Sequence, residues 1–282
     1  MDTNAWWYVD GRWVHPNEAT ISINDVAVLR GYSAFESFRT YYRQPFRLDE
    51  HLDRLYRSAA LMELEIPWPR QQVASVTTQV IERNDYTHAA IRVLVTGGIT
   101  EDSILPNGLP ALAVLITPLG ERDMQRFARG CKLITVHDQR ELPEAKTTSY
   151  VAAIRALKEA ARQNAADALY VDAREHVLEA TRSNFFIFRG DTLVTPGAGV
   201  LIGVTRNVVL ELARDRFAIA ERPILLEELA EADEAFITSS SKEITPVVRI
   251  DDRIIGAGKP GPRTWELEQR FIEMIECAFG AR

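Results

Sequence analysis

The order of its apolar runs is what most constrains this 282-residue chain. Short strand-like stretches outnumber helical ones and do not alternate with them. "WWYVDGRWV" reads as two strands joined at Asp10-Gly11, a dipeptide suited to the positive φ of a two-residue hairpin turn. Strand character runs from Phe35 to Leu48. Asp49 is then expected to cap a helix with His51, Arg54 and Leu55 in its first two turns. A second helix is expected over Gln71 to Arg83. "AAIRVLVTG" and "PALAVLITPL" follow as strands around a loop from Gly97 to Pro110. After "GERDMQRFARG" come the strand "KLITV", a helix through "EAKTTSYVAAIRALKEA", and the strands "DALYVD", "HVLEA", "NFFIF" and "TLVTP". A glycine-rich loop, a helix from about Val204 to Arg214, the strands "EAFITSS" and "PVVRID" and a long last helix complete the order. A doubly wound parallel sheet needs regular βαβ alternation, which is missing. The reading is an α+β fold in two domains: a smaller one over 1–120, a linker at 121–130 and a larger one over 131–282.

A hydrophobic fraction of 46% supports cores of that size, and the net charge of −7 comes from interspersed acids and bases. No basic stripe points to nucleic acid. No apolar run approaches the ~18 residues of a membrane helix, and the first residues lack the basic and apolar regions of a secretory signal. The only two cysteines, Cys131 and Cys277, are too far apart in sequence for a zinc knuckle. A cytoplasmic protein is expected, without membrane or nucleic-acid partners.

Lysine is scarce. The chain has Lys132, Lys146, Lys158, Lys242 and Lys259, and most of its 33 basic residues are arginines. Lys146 is the unusual one. At helical spacing it shares a core-facing stripe with Tyr150, Ala153, Leu157 and Ala161, while Arg155, Glu159 and Arg162 take the charged side. A desolvated lysine tends to lose its proton, and a neutral amine is a nucleophile suited to capturing a carbonyl. The bland alternative is a lysine snorkelling from a helix end.

Other features are weak singly. Gly203, Val204 and Thr205 stand where a flexible loop becomes a helix, a place whose unpaired N–H groups attract anions. "TSSSKE" strings hydroxyls together after a strand. Glu179 is a carboxylate within a strand-like run, and Arg182 is its expected partner. Arg54 alone reads as a surface arginine.

Taken together, "HLDRL", "AKTTSY", "VLEATRSNFF", "LIGVTR" and "TSSSKEITPV" resemble, in order and spacing, the class IV aminotransferases, the fold-type IV pyridoxal-phosphate enzymes. The resemblance extends from about Arg30 to Phe271. It implies that Lys146 carries pyridoxal 5′-phosphate covalently and shuttles the proton. It also implies that Arg54, Val204, Thr205 and Ser240 hold the phosphate, that Glu179 pairs with the pyridine nitrogen, and that Leu201 packs on the ring. Tyr150 is similar to a family tyrosine near the ring hydroxyl. Family sites lie between the domains and borrow a loop from a second subunit, so a homodimer is implied.

The short segment after the lysine and the ending "GKPGPRTWELEQRF" look more like D-amino-acid transaminases than branched-chain ones. "VTGGITEDS" lacks the loop arginine of the usual D-enzyme. Arg30 and Arg92 are the expected replacements, with Ser241 as a further substrate-binding residue. The substrates are then amino acids and 2-keto acids. A branched-chain L-aminotransferase is the first alternative, an aminodeoxychorismate lyase the second.

Overall fold

In the computed structural model, which describes residues 2–280, Asp10 and Gly11 take φ of 47° and 82°. They close a hairpin between β1 (Trp7–Val9) and β2 (Arg12–Val14). The chain divides into two compact units. One runs to Glu121 and takes in Ala145–Ser149 with Phe279 and Gly280; the other holds Arg122–Glu144 and Tyr150–Ala278.

The first unit continues with α1 (Val26–Arg30), β3 (Ser33–Tyr41), β4 (Gln44–Pro45), α2 (Leu48–Leu61), α3 (Arg70–Glu82), β5 (Ala89–Thr96) and β6 (Leu112–Pro118). Its strands form an antiparallel sheet in the order β2-β1-β6-β5-β3-β4. Period-two alternation along β5 decides the layers. Ile91, Val93 and Val95 are buried with Leu52, Leu55 and Ala59 of α2 and Val73, Val76 and Val80 of α3. Arg92, one residue out of phase, is exposed.

The second unit contains α4 (Met124–Arg129), β7 (Cys131–His137), α5 (Val151–Arg162), β8 (Asp167–Val171), β9 (His176–Ala180), β10 (Asn184–Arg189), β11 (Thr192–Thr195) and α6 (Val204–Ala213). β12 (Ala218–Glu221), β13 (Ile224–Leu225), β14 (Glu234–Ser239), β15 (Glu243–Ile250), β16 (Arg253–Ile254) and α7 (Pro262–Phe279) follow. The strand order is β12-β11-β10-β14-β15-β7-β8-β9-β13, with β16 beside β15. The β11–β12, β15–β7 and β7–β8 pairs are parallel, so the sheet is mixed.

Several expectations change. Arg47, not Asp49, is the residue before α2, and Asp49 lies in the first turn, where its charge favours the helix's positive end. The expected linker contains the helix α4. Lys146 is on no helix: α5 begins at Val151 and turns Ala153, Ala156 and Ala160 inward. The lysine segment is extended instead. Thr147 bridges Ala34, Phe35 N–H donates to Lys146 O (3.0 Å), and Thr148 N–H donates to Ser33 O (3.1 Å). β4 covers only Thr40 and Tyr41 of β3, so the Ser33–Phe35 edge is open to this pairing, and β-branched Thr147 and Thr148 favour it. Lys146 therefore belongs with the first unit, not with the C-terminal domain assigned from the sequence.

Candidate active site

The site residues fall into two groups, one in each unit. In the first, Arg54 is not the solvated helix arginine of the bland reading, because it is only 4% exposed. His51, Arg54 and Ser58 share the inward face of α2 at i, i+3 and i+7. Arg54 donates from Nε to Glu36 Oε1 (2.7 Å) and from Nη2 to Oε2 (2.8 Å). His51 Nδ1 lies 2.8 Å from Glu36 Oε2. A carboxylate only accepts, so Nδ1 carries the proton. Burial pushes Glu36 upward, but the Arg54 guanidinium and the His51 bond more than offset it and hold the carboxyl at about 2. Burial lowers the pKa of His51, and the ring is neutral at pH 7.

Ser58 Oγ accepts the main-chain N–H of Lys146 (3.0 Å). The lysine Nζ lies 4.7 Å from the centre of the Phe35 ring, and the Arg92 guanidinium carbon lies 5.6 Å from the same centre. The β3–β5 register sets Phe35 against Leu94 and Ser37 against Arg92. These four share the sheet face opposite Glu36. Arg30 ends α1, is exposed, and donates from Nη1 to Leu29 O (2.8 Å); it does not join Arg92 at the Phe35 ring.

In the second unit Glu179 is buried on β9. Its expected partner Arg182 lies instead near Asp167 (3.7 Å). Arg140 takes the place, donating from Nε to Glu179 Oε1 (3.0 Å), and Leu201 N–H reaches the same oxygen (3.2 Å). Asn184 Nδ2 bonds Leu201 O (2.6 Å) and lies 3.4 Å from Glu179 Oε2. Leu201 thus arrives at Glu179 through its main chain. Two residues later Gly203 precedes α6 with no side-chain cap, so the amides of Val204 and Thr205 open the helix. A methyl group on Gly203 would meet Asn184 Oδ1 at 2.1 Å, which explains the glycine. Ser240 and Ser241 lie in the turn between β14 and β15, with Ser240 half-buried and Ser241 exposed. Lys242, the rival lysine, sits 3.6 Å from buried Asp167. Tyr150 is the residue before α5 and is half-buried.

Glu36, His51, Ser58, Arg140 and Asn184 complete the two groups, yet none was a sequence candidate. Glu36 had a signal, a single acid inside the otherwise apolar and aromatic start of β3. Arg140 had none, since its partner Glu179 lies 39 residues along the chain, and Asn184 read as an ordinary strand residue.

Pyridoxal phosphate requires an amine for its aldehyde, an acceptor for its ring N–H and a donor cradle for its phosphate. The first unit has residues of those types in Lys146 and Arg54, and the second unit has them in Glu179 and the start of α6. Ser183 Oγ and Thr238 Oγ1 are buried without a protein partner, and Thr238 is paired with Asn184 across β10 and β14. The site residues fit the cofactor.

The sequence profile of the family described as Amino-transferase class IV matches residues 33–250. The chain is 34% identical to a D-alanine aminotransferase of Listeria monocytogenes serotype 4b, over 96% of each chain. It is 31% identical to a branched-chain-amino-acid aminotransferase of Pseudomonas aeruginosa, over 95% of this chain and 92% of that one. Among solved structures it is similar to a T.th. branched-chain amino acid aminotransferase with pyridoxamine 5′-phosphate. That match has a TM-score of 0.90 and 30% identity, over 99% of this chain and 95% of that one.

Proposed function

This chain belongs to the class IV aminotransferases, fold-type IV enzymes that use pyridoxal 5′-phosphate, and we propose that its amino donors are D-amino acids such as D-alanine and D-glutamate. The observation that carries the proposal is the ring of Phe35, which both Lys146 Nζ and the Arg92 guanidinium approach. The two cations can be no farther apart than those two distances together. A substrate carboxylate on Arg92 is therefore within one small molecule's reach of the lysine amine, and a carboxylate held there orients the Cα–H bond. Arg30 acts as a second, weaker carboxylate contact, and Ser241 as a polar neighbour.

When bound, pyridoxal phosphate supplies the electron sink that stabilises negative charge at the substrate Cα. Lys146 would hold it through its amine and, when free, would move the proton at the substrate Cα. Arg54, the Val204 and Thr205 amides and Ser240 hold the phosphate. Glu179 would accept the ring N–H, and Leu201 would pack against the ring. The net exchange would convert one amino acid to its 2-keto acid and a second 2-keto acid to its amino acid.

A homodimer accompanies this reading. Ile99, Ile104, Leu105 and Leu109 are exposed, as are Ile23 and Val28. The Asp25–Ile99 bridge and the Val26 N–H to Gly98 O bond join the two segments that carry them, the stretch running into α1 and the loop after β5. So much apolar surface on adjoining segments suits burial against a second copy. Cys131 and Cys277 form no disulfide, and no described helix is long and apolar enough to cross a membrane; both suit a cytoplasmic enzyme.

Similarity to branched-chain enzymes favours a second reading, in which Arg92 binds the distal carboxylate of glutamate. A panel of D- and L-amino acids against pyruvate and 2-oxoglutarate separates the two. Turnover of D-alanine and D-glutamate is expected. Preference for L-leucine or L-valine overturns the D-specific reading.

A further inference from the structure

Both anchors assigned to the first unit are held by consecutive residues of β3. Phe35 donates its main-chain N–H to Lys146 O (3.0 Å) and presents its ring to Nζ. Glu36 points to the other face and takes Nε and Nη2 of Arg54 on its two oxygens. Ser58, one turn beyond Arg54, closes the circuit by accepting the Lys146 N–H. We propose that Glu36 is a positioning residue for the cofactor's phosphate: with His51 it locks the Arg54 guanidinium in one orientation and so sets the span between phosphate grip and lysine. The inference rests on the reading of Arg54 as a phosphate ligand.

A free arginine side chain samples many rotamers, and ordering it when the phosphate arrives would weaken binding. A two-point carboxylate contact fixes the plane of the guanidinium beforehand. Glu36 has 0% exposure, and burying a carboxylate is costly unless partners compensate. An apolar residue would fill the same space at less cost, so packing alone does not explain the acid. Glu36 also cancels the charge of Arg54. The grip on a phosphate then depends on aimed N–H groups more than on net attraction, which makes orientation decisive.

The test compares apo protein binding pyridoxal phosphate and binding pyridoxal, which lacks the phosphate. Tryptophan fluorescence reports binding, and circular dichroism and melting of the apo protein report folding. Glu36→Gln keeps the side chain's size but offers Arg54 one acceptor oxygen. It is expected to bind pyridoxal phosphate roughly tenfold more weakly, the usual scale for losing a residue that orients a ligand-binding one. Pyridoxal binding should stay near wild type, while apo melting should fall without loss of the folded circular dichroism, because one partner of a buried ion pair is neutralised. Should that variant fail to fold, Glu36→Asp keeps the charge but is one methylene too short to meet both nitrogens, and the same loss of preference is expected. Arg54→Ala is the reference. If it loses the preference for pyridoxal phosphate and the Glu36 variant keeps it, the positioning role is overturned while the phosphate reading stands. If Arg54→Ala keeps the preference too, the phosphate reading falls and this inference with it.

Discussion

The two units hold their candidate residues by different means. In the first unit side chains hold the arginine, and main-chain pairing holds only the lysine segment. A buried carboxylate, arginine and histidine bond one another across β3 and α2, and the lysine segment pairs along the edge of β3. In the second unit much of the holding is done by main chain. Glu179 receives the Leu201 N–H as well as Arg140, α6 offers its uncapped start, and Ser240 and Ser241 are placed by a hairpin turn. Side chains can be deleted singly, whereas a main-chain amide survives most substitutions. The first unit should therefore be sensitive to truncation, and the second to whatever displaces its backbone.

The largest expected effect is Lys146→Ala. Its segment is held by main-chain bonds to Phe35 and Ser58, so the protein should fold, but turnover should fall by at least about three orders of magnitude. Borohydride reduction of the holoenzyme should leave the cofactor on the peptide containing Lys146; label on Lys242 would refute the assignment. Next is Arg92→Ala. Removing a carboxylate anchor that aligns the reacting bond should cost about a hundredfold in kcat/KM for D-alanine, with cofactor absorbance retained. Arg30→Ala should cost less, because Arg30 is exposed at a helix end and does not share the Phe35 ring.

For the second unit Gly203→Ala is the telling change. The added methyl must move Asn184, and with it the Leu201 carbonyl that Asn184 holds. Cofactor affinity should drop roughly tenfold, the worth of one well-made hydrogen bond. Thr205→Val leaves the amide in place and should change affinity by less than about threefold. Equal losses from both variants would mean that the Thr205 side chain, not the helix start, is the phosphate contact.

A last effect, on stability and not on activity, concerns pH and again separates the units. Glu36 is held at about 2, so its contribution is present above the ordinary carboxylate range and is lost as pH falls through that value. Glu268 behaves oppositely. Arg122 bonds Glu243 at 2.5 Å and reaches Glu268 only at 3.3 Å, and Glu268 Oε2 is buried without a hydrogen-bond partner. Burial, with the Glu243 charge adding, raises Glu268 to about 7 despite Arg122. Its protonated form stabilises the fold below about 4.5, and that contribution is lost as pH rises through 7. Glu268→Gln should remove this loss, worth on the order of 1–3 kcal/mol. It would show as a melting temperature that changes less between about pH 5.5 and 8 than in wild type, with activity at pH 7 unchanged.

Most strands and helices were legible in the sequence because they follow from periodicity and turn chemistry. The Asp10-Gly11 hairpin, the alternation of β5 and the start of α6 are local facts, and five motifs in order were enough to suggest the family. Helical periodicity misled at Lys146, where "AKTTSY" pairs with a strand edge more than a hundred residues earlier in the chain. An isolated bridge has no repeat from which to read it. The same holds for the ion pairs. Arg182 is three residues from Glu179 and was the nearest basic residue, but it lies in the turn after β9 and reaches Asp167, and Arg140 arrives from a loop. Glu36, His51 and Arg54 are close in sequence, yet nothing in their spacing says that a strand and a helix will turn them toward each other. Local sequence determined which backbone shapes the chain takes and where an anion could settle. Only the packed sheets decided which charges meet, because a buried ion must find its partner wherever the fold places one.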